Sequence, residues 1–397
     1  MNWVQRQLNK IGGGRKDHTI SLTSRNTSFF GILDNFFNFS FGGGNFEKYV
    51  EAFGQNPLVY MIVNKIAVKE SSLPRMVIDS NGNEVENSQI KEILSKPNPS
   101  QFELDFRINI AQTLMSTGNC FIWAREITGL RPDLIILQSE KVDINVDKVG
   151  VTETVVSYTY TKDETEVTID AEDVLHIKTV NIVNTKEEGV HYGFSPLESA
   201  FNLVKSSEEI FAAEAAIFKN RGVIGLLSNE TDVPLLDKAR KALQEQLDED
   251  LAGAHQFNRI KITNSKLKYL QMGMSPTDLK LLDGILNKLR LLCSVYGLNS
   301  VLFNDQVAST FDNVAEANRS AHIDVYIPLG KKIDQNLSAF LSEKLKVKET
   351  IVIDENKIDV LKQINKDLSD AVVDQFEKLI IDRDEARDTL GYKPEEN

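Results

Sequence analysis

Residues 195–222 read SPLESAFNLVKSSEEIFAAEAAIFKNRG and predict a long helix with a clear start and a clear end. Ser195 is a typical N-cap, Pro196 suits the first helical position, and Glu198 stands where a capping-box carboxylate would reach back. Apolar residues then recur at the spacing of one helical face until an Asn-Arg-Gly stop signal. At a rise of about 1.5 Å per residue, the predicted helix is roughly 37 Å long.

Residues 275–297 read SPTDLKLLDGILNKLRLLCSVYG and repeat this design, with Ser275 as the cap and Gly297 at the end. The predicted helix is amphipathic, and its apolar face consists of Leu281, Leu282, Ile285, Leu286, Leu289, Leu292, Cys293 and Tyr296. Its polar stripe consists of Lys280, Asp283, Asn287, Arg290 and Ser294. Spacing alone is also typical of an ordinary helical pair with an elaborated connection.

The connection between the two helices is predicted to be a small α/β insertion. Its predicted elements are a strand at 223–227, a charged helix at about 234–248, and strand-like runs at 259–263 and 267–272 that are joined through Asn264-Ser265. The acidic run 245–250 is more typical of a solvated helix face than of a cation site.

The composition is that of a globular protein with more than one lobe, since 41 % of the 397 residues are hydrophobic and 26 % are charged. A net charge of −13 and a pI of about 5.1 argue against tight wrapping of nucleic acid by a basic surface. They do not argue against a protein along which DNA slides. Cys120 and Cys293 lie in apolar stretches, so we expect reduced core residues in a cytoplasmic setting.

Residues 1–45 are predicted to form a flexible N-terminal arm, because they are polar and contain two glycine clusters. Residues 1–16 lack the apolar segment of a signal peptide, and the glycines at 12–14 lack the spacing of a phosphate-binding loop. The sequence has no apolar stretch of the roughly 20 residues that cross a bilayer, so we expect no membrane partner.

Residues 46–194 are predicted to form an α+β lobe with an antiparallel sheet. Its predicted helices are 56–71, 87–94 and 100–118, with a strand at 75–79 after the first helix. Ser100 and Glu103 predict a capping box for the third helix. Short β-branched or aromatic runs follow, and the predicted strands are 121–125, 134–137, 141–146, 155–161, 165–169 and 174–177.

The chain after residue 313 is predicted to be mainly helical. Residues 314–346 read as one or two long helices broken near Pro328, because proline cannot donate the hydrogen bond that a helix interior requires. The tail from Asp354 is charged and helical, and the run Asp382 to Arg387 predicts a further helical motif that ends at Gly391.

The sequence contains no pattern that predicts catalysis or metal binding. A nucleophile elbow, a His-Glu-x-x-His pair and a Walker motif are all missing from it. The histidines are not spaced as metal ligands and are expected to be structural or surface residues; they are His18, His176, His191, His255 and His322. We therefore expect a protein that is not an enzyme, with no metal and no cofactor.

Several short motifs occur in a set order along the chain. The first group is Asn56-Pro57-Leu58-Val59, Asn64-Lys65-Ile66-Ala67, Ser72-Leu73-Pro74, Leu94 with Pro97-Asn98-Pro99, and Gly118-Asn119-Cys120-Phe121-Ile122. The central group is Val174-Leu175-His176-Ile177-Lys178, Gly193-Phe194-Ser195-Pro196-Leu197 and Phe218-Lys219-Asn220-Arg221-Gly222. The last group is Asp384-Glu385-Ala386-Arg387 and Leu390-Gly391-Tyr392. In this order and spacing, which covers residues 46–395, the sequence resembles the portal proteins of tailed bacteriophages.

This resemblance implies a homo-oligomeric ring, usually a dodecamer, at one capsid vertex. Double-stranded DNA passes through such a ring during packaging and ejection. The implied partners are terminase, a head-tail adaptor, and the major capsid protein or a scaffold. The implied location is the virion, with assembly in the host cytoplasm.

The resemblance also divides the chain into the parts of a portal subunit. It implies a wing at 46–194 and 298–348, two long stem helices at 195–221 and 275–297, and a small α/β clip at 222–274. Residues 349–397 would form a C-terminal helical crown. Within the wing, 298–313 would be the tunnel loop that narrows the channel, although the proline that relatives often have early in this loop does not occur here.

Candidate functional residues follow from these parts. The tunnel-loop residues that would touch DNA are Asn304, Gln306, Ser309 and Thr310. The polar stripe of the second stem helix would face the channel, and the residues for subunit packing are Leu282, Leu289 and Leu292. The clip residues that would meet a partner are Lys238 and Arg240. Because each phosphate that a cation neutralises adds salt-sensitive affinity, an acidic chain with polar uncharged contacts suits a channel for moving DNA.

Two other classes of protein stay open at this point. One is a different capsid-associated structural protein, which the long capped helix pair disfavours. The other is a cytoplasmic hydrolase with a dispersed active site. The lack of a nucleophile-base pair or a metal constellation in the sequence disfavours this second class.

Overall fold

The computed structural model of the 397-residue chain describes residues 18–20, 46–126, 131–149, 152–182, 191–219, 225–229, 238, 241, 267–271, 281–305, 311–378, 380, 382, 383 and 385. Several predictions fall outside these residues. They concern Lys280, Gln306, Ser309, Thr310, Arg240, His255, the run 245–250 and the strand 259–263.

The chain divides into two compact units. The first unit consists of residues 1–199 together with 293–397, and the second consists of residues 200–292. The predicted helix pair and its insertion span residues 195–297.

The first unit begins with a short strand and a series of helices. In chain order these elements are β1 (His18–Ile20), α1 (Phe46–Gln55), α2 (Pro57–Ser71), β2 (Arg75–Asp79), α3 (Gln89–Ser95) and α4 (Glu103–Thr117). The predicted cap of α2 is confirmed, because Asn56 Oδ1 accepts hydrogen bonds from the N–H groups of Leu58 at 3.0 Å and Val59 at 3.4 Å. Helix α1 was missed in the sequence.

The capping box predicted at Ser100 and Glu103 is wrong. Helix α4 begins only at Glu103, and its N-cap, Phe102, makes no side-chain capping bond. Ser100 is used instead in a turn around Asn98, whose Oδ1 accepts from the Ser100 N–H at 3.0 Å and from Ser100 Oγ at 2.8 Å. Short polar side chains compete in this way for nearby backbone groups, and here the turn formed rather than the helical cap.

Two antiparallel sheets follow α4, so the predicted α+β class is confirmed. Their strands are β3 (Asn119–Arg125), β4 (Asp133–Leu137), β5 (Val142–Val149), β6 (Thr152–Lys162), β7 (Thr165–Asp170) and β8 (Val174–Lys178). One sheet has the order β4-β3-β8 and the other has the order β1-β5-β6-β7. Each predicted strand of this region is present, usually extended by one to three residues because main-chain pairing continues past the apolar run.

Strand β1 is an exception to the prediction of a flexible arm over residues 1–45. It pairs antiparallel with β5, with His18 opposite Val146 and Ile20 opposite Ile144. An edge strand is held by main-chain hydrogen bonds, which any side chains permit, so its composition gives little signal.

Later elements return to the first unit. They are α5 (Pro196–Ser199), the last residues of α7 (Leu281–Val295), α8 (Phe311–Ala321), α9 (Ile327–Leu345), β11 (Glu349–Ile353) and α10 (Asp359–Glu377). The predicted break near Pro328 is confirmed as a π-helical segment, His322–Tyr326, directly before α9. A proline that cannot bond to the preceding turn is a recognised cause of such an irregularity.

Strand β11 pairs antiparallel with β2, with Ile351 opposite Val77. The boundary predicted at residue 348 therefore separates a strand from its partner in the first lobe. Further along, the start of the predicted tail motif forms a reciprocal capping box, while its predicted end at Gly391 lies outside the described residues. The Glu385 N–H donates to Asp382 Oδ1 at 2.8 Å, and the Asp382 N–H donates to Glu385 Oε2 at 3.0 Å.

The core of the first unit is formed by apolar side chains of α2, α4, α9 and β3. The fully buried members include Ile62, Ile66, Phe106, Ile110, Leu114, Phe121, Ile122, Ile333, Leu337 and Leu341. Their spacing of three or four residues on the helices explains why the periodicity of the sequence predicted these helices well.

The second unit contains α6 (Phe201–Lys219), a hairpin of β9 (Gly225–Asn229) with β10 (Leu267–Gln271), and most of α7 (Leu281–Val295). The predicted helix 195–221 is therefore interrupted at Ala200. The turn at Ser195 is closed by an i+3 bond from the Glu198 N–H at 3.0 Å, and α6 starts afresh with the Val204 N–H bonded to Ala200 at 2.9 Å. In the described residues, no helix combines the length and apolarity needed to cross a bilayer.

Candidate functional site

Helix α7 carries a buried apolar face and an exposed polar face. Leu289 and Leu292 are 5 % and 2 % exposed. The exposed members of the predicted polar stripe are Asp283, Asn287 and Ser294, and Arg290 is half-buried. The predicted separation of the two faces is thus confirmed for these side chains, whereas the side chain of Leu282 lies outside the described part.

The burial of Leu289 and Leu292 is complete within a single chain, so neither has much surface left for a second subunit. Helix α7 instead exposes two apolar residues that the sequence did not single out. Leu291 is 57 % and Val295 is 40 % exposed. They are four residues apart, so they lie next to each other on the helix surface beside the polar stripe.

Helix α7 ends in a Schellman motif at the predicted glycine. Gly297 adopts a left-handed φ of 70°, the Leu298 N–H donates to the Cys293 carbonyl at 2.9 Å, and the Gly297 N–H donates to Ser294 at 3.1 Å. Burial raises the pKa of the Cys293 thiol to about 12, which fits the predicted reduced core residue.

The C-terminal end of α4 anchors both chain segments that connect the two units. Ser195 Oγ donates to the Ser116 carbonyl at 2.6 Å, and Tyr296 Oη donates to the Met115 carbonyl at 3.1 Å. These carbonyls belong to the last turn of a helix, which lacks partners within the helix itself. Ser195 also accepts from the Leu197 N–H at 3.1 Å, so the predicted N-cap is confirmed for α5.

Two glycines permit a close approach of backbones at the same place. A Cβ atom on Gly193 would lie 2.1 Å from the Gly118 carbonyl oxygen, and a Cβ atom on Gly118 would lie 2.6 Å from the Phe194 backbone. Gly118 also ends α4 with a left-handed φ of 76°. Both positions therefore exclude larger residues.

Asn119 connects this junction to the sheet. Its Oδ1 accepts from the Gly193 N–H at 2.7 Å and lies 3.0 Å from His176 Nε2. The His176 ring stacks on Phe121 at 4.1 Å between centroids. Burial, with smaller contributions from Lys178 and His191, lowers the pKa of His176 to about 3, so it is a neutral structural histidine as predicted.

The segment Asn299–Asp305, which precedes residues 306–310, forms a compact root that contains one 3-10 turn. Asn299 Oδ1 accepts from the Val301 N–H at 3.0 Å, and Ser300 Oγ donates to Asp305 Oδ2 at 2.8 Å. Asn304 is exposed and left-handed, with a φ of 61°, and Asp305 is buried. Of the four predicted tunnel-loop residues, the structure thus describes Asn304.

Lys65 of α2 contacts this root, although no sequence pattern relates them. Lys65 Nζ donates to the Leu302 carbonyl at 2.9 Å and lies 5.2 Å from the centre of the Phe303 ring. Burial lowers the pKa of Lys65, and the like charge of Lys69 lowers it further. The two partners are 237 residues apart in sequence, which is why spacing could not reveal the contact.

A buried charge network holds the other end of α4. Asp334 of α9 accepts from Arg107 Nη1 at 2.7 Å and from Arg75 Nε at 2.8 Å, and Arg75 also pairs with the buried Glu70. Arg107 reaches the partly exposed Glu103 at 3.0 Å. Two arginines and two buried carboxylates thus balance one another among α2, β2, α4 and α9.

The insertion between α6 and α7 is described in part. Strand β10 pairs with β9 along five residues, from Leu267 opposite Asn229 to Gln271 opposite Gly225. The prediction instead joined this strand to the run at 259–263. Lys238 is helical and exposed, as expected for the predicted charged helix.

The side chains described by the structure offer no metal site, since they contain no group of three or more His, Cys, Asp or Glu that could hold an ion. His191, predicted in a turn, pairs through Nε2 with Glu153 Oε2 at 2.9 Å. His322 lies in the π-helical segment and packs edge-on against Tyr326. The geometry therefore favours a structural role for these histidines.

Comparison with known sequences gives a consistent family. The family model for phage portal proteins matches residues 57–391. An uncharacterized protein of Rickettsia bellii (strain RML369-C) is 24 % identical over 333 residues, which cover 82 % of this chain and 85 % of that protein.

Solved structures share the fold. A chain in the neck of a native gene transfer agent particle, computed with C12 symmetry, has a TM-score of 0.66 at 21 % identity and covers 89 % of this chain and 95 % of its own. An HK97-family phage portal protein from Corynebacterium diphtheriae has a TM-score of 0.50 at 13 % identity, covering 77 % of this chain and 94 % of its own. The portal-like α+β architecture expected from the resemblance is confirmed.

The motifs that suggested a resemblance, from Asn56-Pro57 to Leu390-Gly391, fall inside the matched range of residues 57–391 or border it directly. The range includes α2 to α10 and the junction at the end of α4. The chain therefore belongs to the phage portal protein family, the structural proteins that form the DNA channel at a capsid vertex.

Proposed function

We propose that twelve copies of this chain form the portal ring of a virion and that its channel is lined by the polar stripe of α7 and by the stretch 298–313. The observation that carries this proposal is the division of α7 into a buried leucine face and an exposed polar face that leads to the root at Asn299–Asp305. The gene transfer agent neck computed with C12 symmetry supports the copy number.

The chemistry of these surfaces suits DNA that moves. Asp283, Asn287, Ser294 and Asn304 are exposed side chains that are neutral or acidic, and Arg290, the cation of the stripe that the structure describes, is half-buried. Such groups contact a polyanion without neutralising its phosphates, and a contact that releases no counterions adds little salt-dependent affinity. DNA can then slide past the ring in both directions.

The channel proposal is tested by placing a cation in the stretch. Ser309→Lys adds one lysine per subunit, and a ring repeats it around one constriction. Since the logarithm of affinity for duplex DNA falls with the logarithm of salt by about 0.9 for each phosphate contacted, a few contacts create a strong brake. We expect slow packaging at low salt, partly relieved at higher salt, with normal capsid assembly.

The matched control for this test is Thr168→Lys, which adds the same charge at an exposed position of β7 in the first unit. This variant should package DNA at the wild-type rate. A wild-type rate and salt dependence for Ser309→Lys would mean that the stretch does not face DNA.

We assign subunit packing to α7, with separate roles for its two apolar surfaces. Leu289 and Leu292 contribute by holding α7 in its own chain, while Leu291 and Val295 offer apolar surface to the neighbouring copy. Leu289→Asp should destabilise the chain itself, because it buries an unpaired charge. Leu291→Asp should give folded subunits that fail to form rings on size-exclusion chromatography; intact Leu291→Asp rings would contradict this assignment.

We propose that residues 222–274 form the surface that docks terminase during packaging and the head-tail adaptor afterwards. The support is the exposed, helical Lys238 in a charged segment, two residues before Arg240 in sequence. Charge reversal at Lys238 or Arg240 should leave rings intact and reduce terminase-dependent packaging. Normal terminase binding by both variants would place the docking surface elsewhere.

We propose the remaining roles by analogy with the family. The ring contacts the major capsid protein or a scaffold at its vertex, assembles in the host cytoplasm, and acts without catalysis or a cofactor. A pull-down of capsid protein by purified rings tests the first of these roles. Failure to recover capsid protein with wild-type rings, under conditions in which procapsids form, would contradict it.

A further inference from the structure

We propose that Lys65 is a positioning residue that fixes the root Asn299–Asp305 and thereby sets where the following stretch leaves the folded lobe. This inference rests on the proposal that 298–313 lines the channel, because only then does the position of the root matter for DNA. Lys65 itself lies on α2, in the core lobe, and need not contact DNA.

The contact is specific in its geometry. Lys65 Nζ donates to the Leu302 carbonyl at 2.9 Å, and the same ammonium lies 5.2 Å from the centre of the Phe303 ring. One cation thus holds both a backbone group and the adjacent aromatic side chain. Cation-aromatic contacts of this kind become stronger when the cation is partly removed from water, as it is here.

The root also has hydrogen bonds of its own, so the Lys65 contact acts on an ordered segment. Ser300 bonds to the buried Asp305 at 2.8 Å, and Asn299 caps the 3-10 turn between them. The Val301 side chain is buried beneath the turn. The Lys65 contact therefore joins an internally bonded segment to α2.

A lysine on the neighbouring turn provides a matched control. Lys69 lies on the same helix four residues later and is exposed. Lys69→Met removes the same charge and the same chain chemistry as Lys65→Met. Lys65→Arg keeps a cation and donors, so it should preserve the contact in part.

The experiment measures the position of Asn304, which is exposed at the end of the root. Assembled rings carry Asn304→Cys with a nitroxide label, while Cys120 and Cys293 are buried and remain unlabelled. Pulsed EPR then gives the distribution of distances between labels on different subunits. Thermal unfolding of each ring reports general stability separately.

We expect a narrow distance peak in the parent rings and in Lys69→Met rings, and loss of that narrow peak in Lys65→Met rings. Lys65→Arg should recover most of it. A narrow, unchanged peak in Lys65→Met would overturn the inference. If Lys65→Met fails to assemble, Lys65→Gln, which is too short to reach Leu302, replaces it with the same two outcomes.

Failure of the channel proposal has a different signature. In that case Ser309→Lys packages DNA normally while Lys65→Met still loses the narrow peak. A Lys65→Met ring that keeps its melting temperature but loses the peak separates positioning from general stability. An equal loss of the peak in Lys69→Met would count against Lys65, because it would show a nonspecific effect of charge.

Discussion

The two ends of α4 are held by opposite kinds of chemistry. Near its N-terminal half, Arg107 enters a buried network of ions with Asp334, Arg75 and Glu70. At its C-terminal end, neutral hydroxyl groups of Ser195 and Tyr296 bond to the last carbonyls, and glycine backbones pack together. A buried ion is stable inside a protein only when its charged partners are present, so the loss of one partner destabilises the whole network. Each neutral hydrogen bond contributes a smaller amount, and losing one leaves no unpaired charge.

The largest expected effect is therefore at the ionic end. Asp334→Ala removes the carboxylate that accepts from both arginines and leaves two buried cations short of a partner. We expect a loss of about 3 to 5 kcal/mol in the free energy of unfolding, measured by urea titration. Glu103→Ala is the control, because its carboxylate is 42 % exposed and should cost less than about 1 kcal/mol. Equal effects of the two changes would contradict the distinction between buried and exposed ions.

The next effect tests close backbone packing at the neutral end. Gly193→Ala would place a Cβ 2.1 Å from the Gly118 carbonyl oxygen, so the backbone must move. We expect a loss of about 3 kcal/mol, at the upper end for overpacking. Gly54→Ala is the matched control, since it lies in α1 with no atom within 4 Å of the new Cβ and should stabilise by about 0.5 to 1 kcal/mol. A neutral Gly193→Ala would show that the junction is loosely packed.

A smaller effect is expected from a single hydroxyl at the neutral end. Ser195→Ala removes the donor to Ser116 and the cap of α5, which should cost about 2 kcal/mol. Ser100→Ala extends the comparison to the motif whose predicted capping box is wrong. It removes a turn contact but no helix cap, so we expect less than about 0.5 kcal/mol in the same urea titration. If Ser100→Ala cost more free energy of unfolding than Ser195→Ala, the result would support the predicted capping box at Ser100.

The last effect concerns pH. The pKa of His176 falls from about 6.5 in the unfolded chain to about 3 in the fold, so the unfolded chain binds more protons between these values. Stability from this residue is complete above pH 6.5 and is lost as the pH falls towards 3, with a slope of up to about 1.4 kcal/mol per pH unit. Unfolding of wild type and His176→Gln from pH 7 to pH 5 measures it. Parallel pH profiles would show that His176 does not titrate this way.

Local signals in the sequence predicted most elements of the first unit. Asn56-Pro57 placed the start of α2, Gly118 and Gly297 placed helix ends, and β-branched runs placed the strands. These signals succeed because caps, left-handed glycines and apolar periodicity act within a few residues. The Ser100 motif failed because a second polar residue, Asn98, competed for the same serine.

The contacts that position the candidate site were not predictable in this way. Lys65 and Leu302 are 237 residues apart, and Arg107 and Asp334 are 227 residues apart. No periodicity relates such residues, since their proximity depends on the packing of whole helices. The exposure of Leu291 and burial of Leu289 also depend on neighbours that α7 meets only after folding. Amphipathic spacing alone predicted two faces but not which apolar side chains stay outside.

The hydroxyl bonds at the end of α4 have a mechanical consequence. The chain passes between its two units after residue 199 and again before residue 293, and Ser195 and Tyr296 lie a few residues from these passages. Their bonds end on neighbouring peptide groups, those of Ser116 and Met115. Tension that arrives along either connection is therefore delivered to the same helical turn. When DNA is driven through a ring, a load on either connection would therefore first meet the last turn of α4.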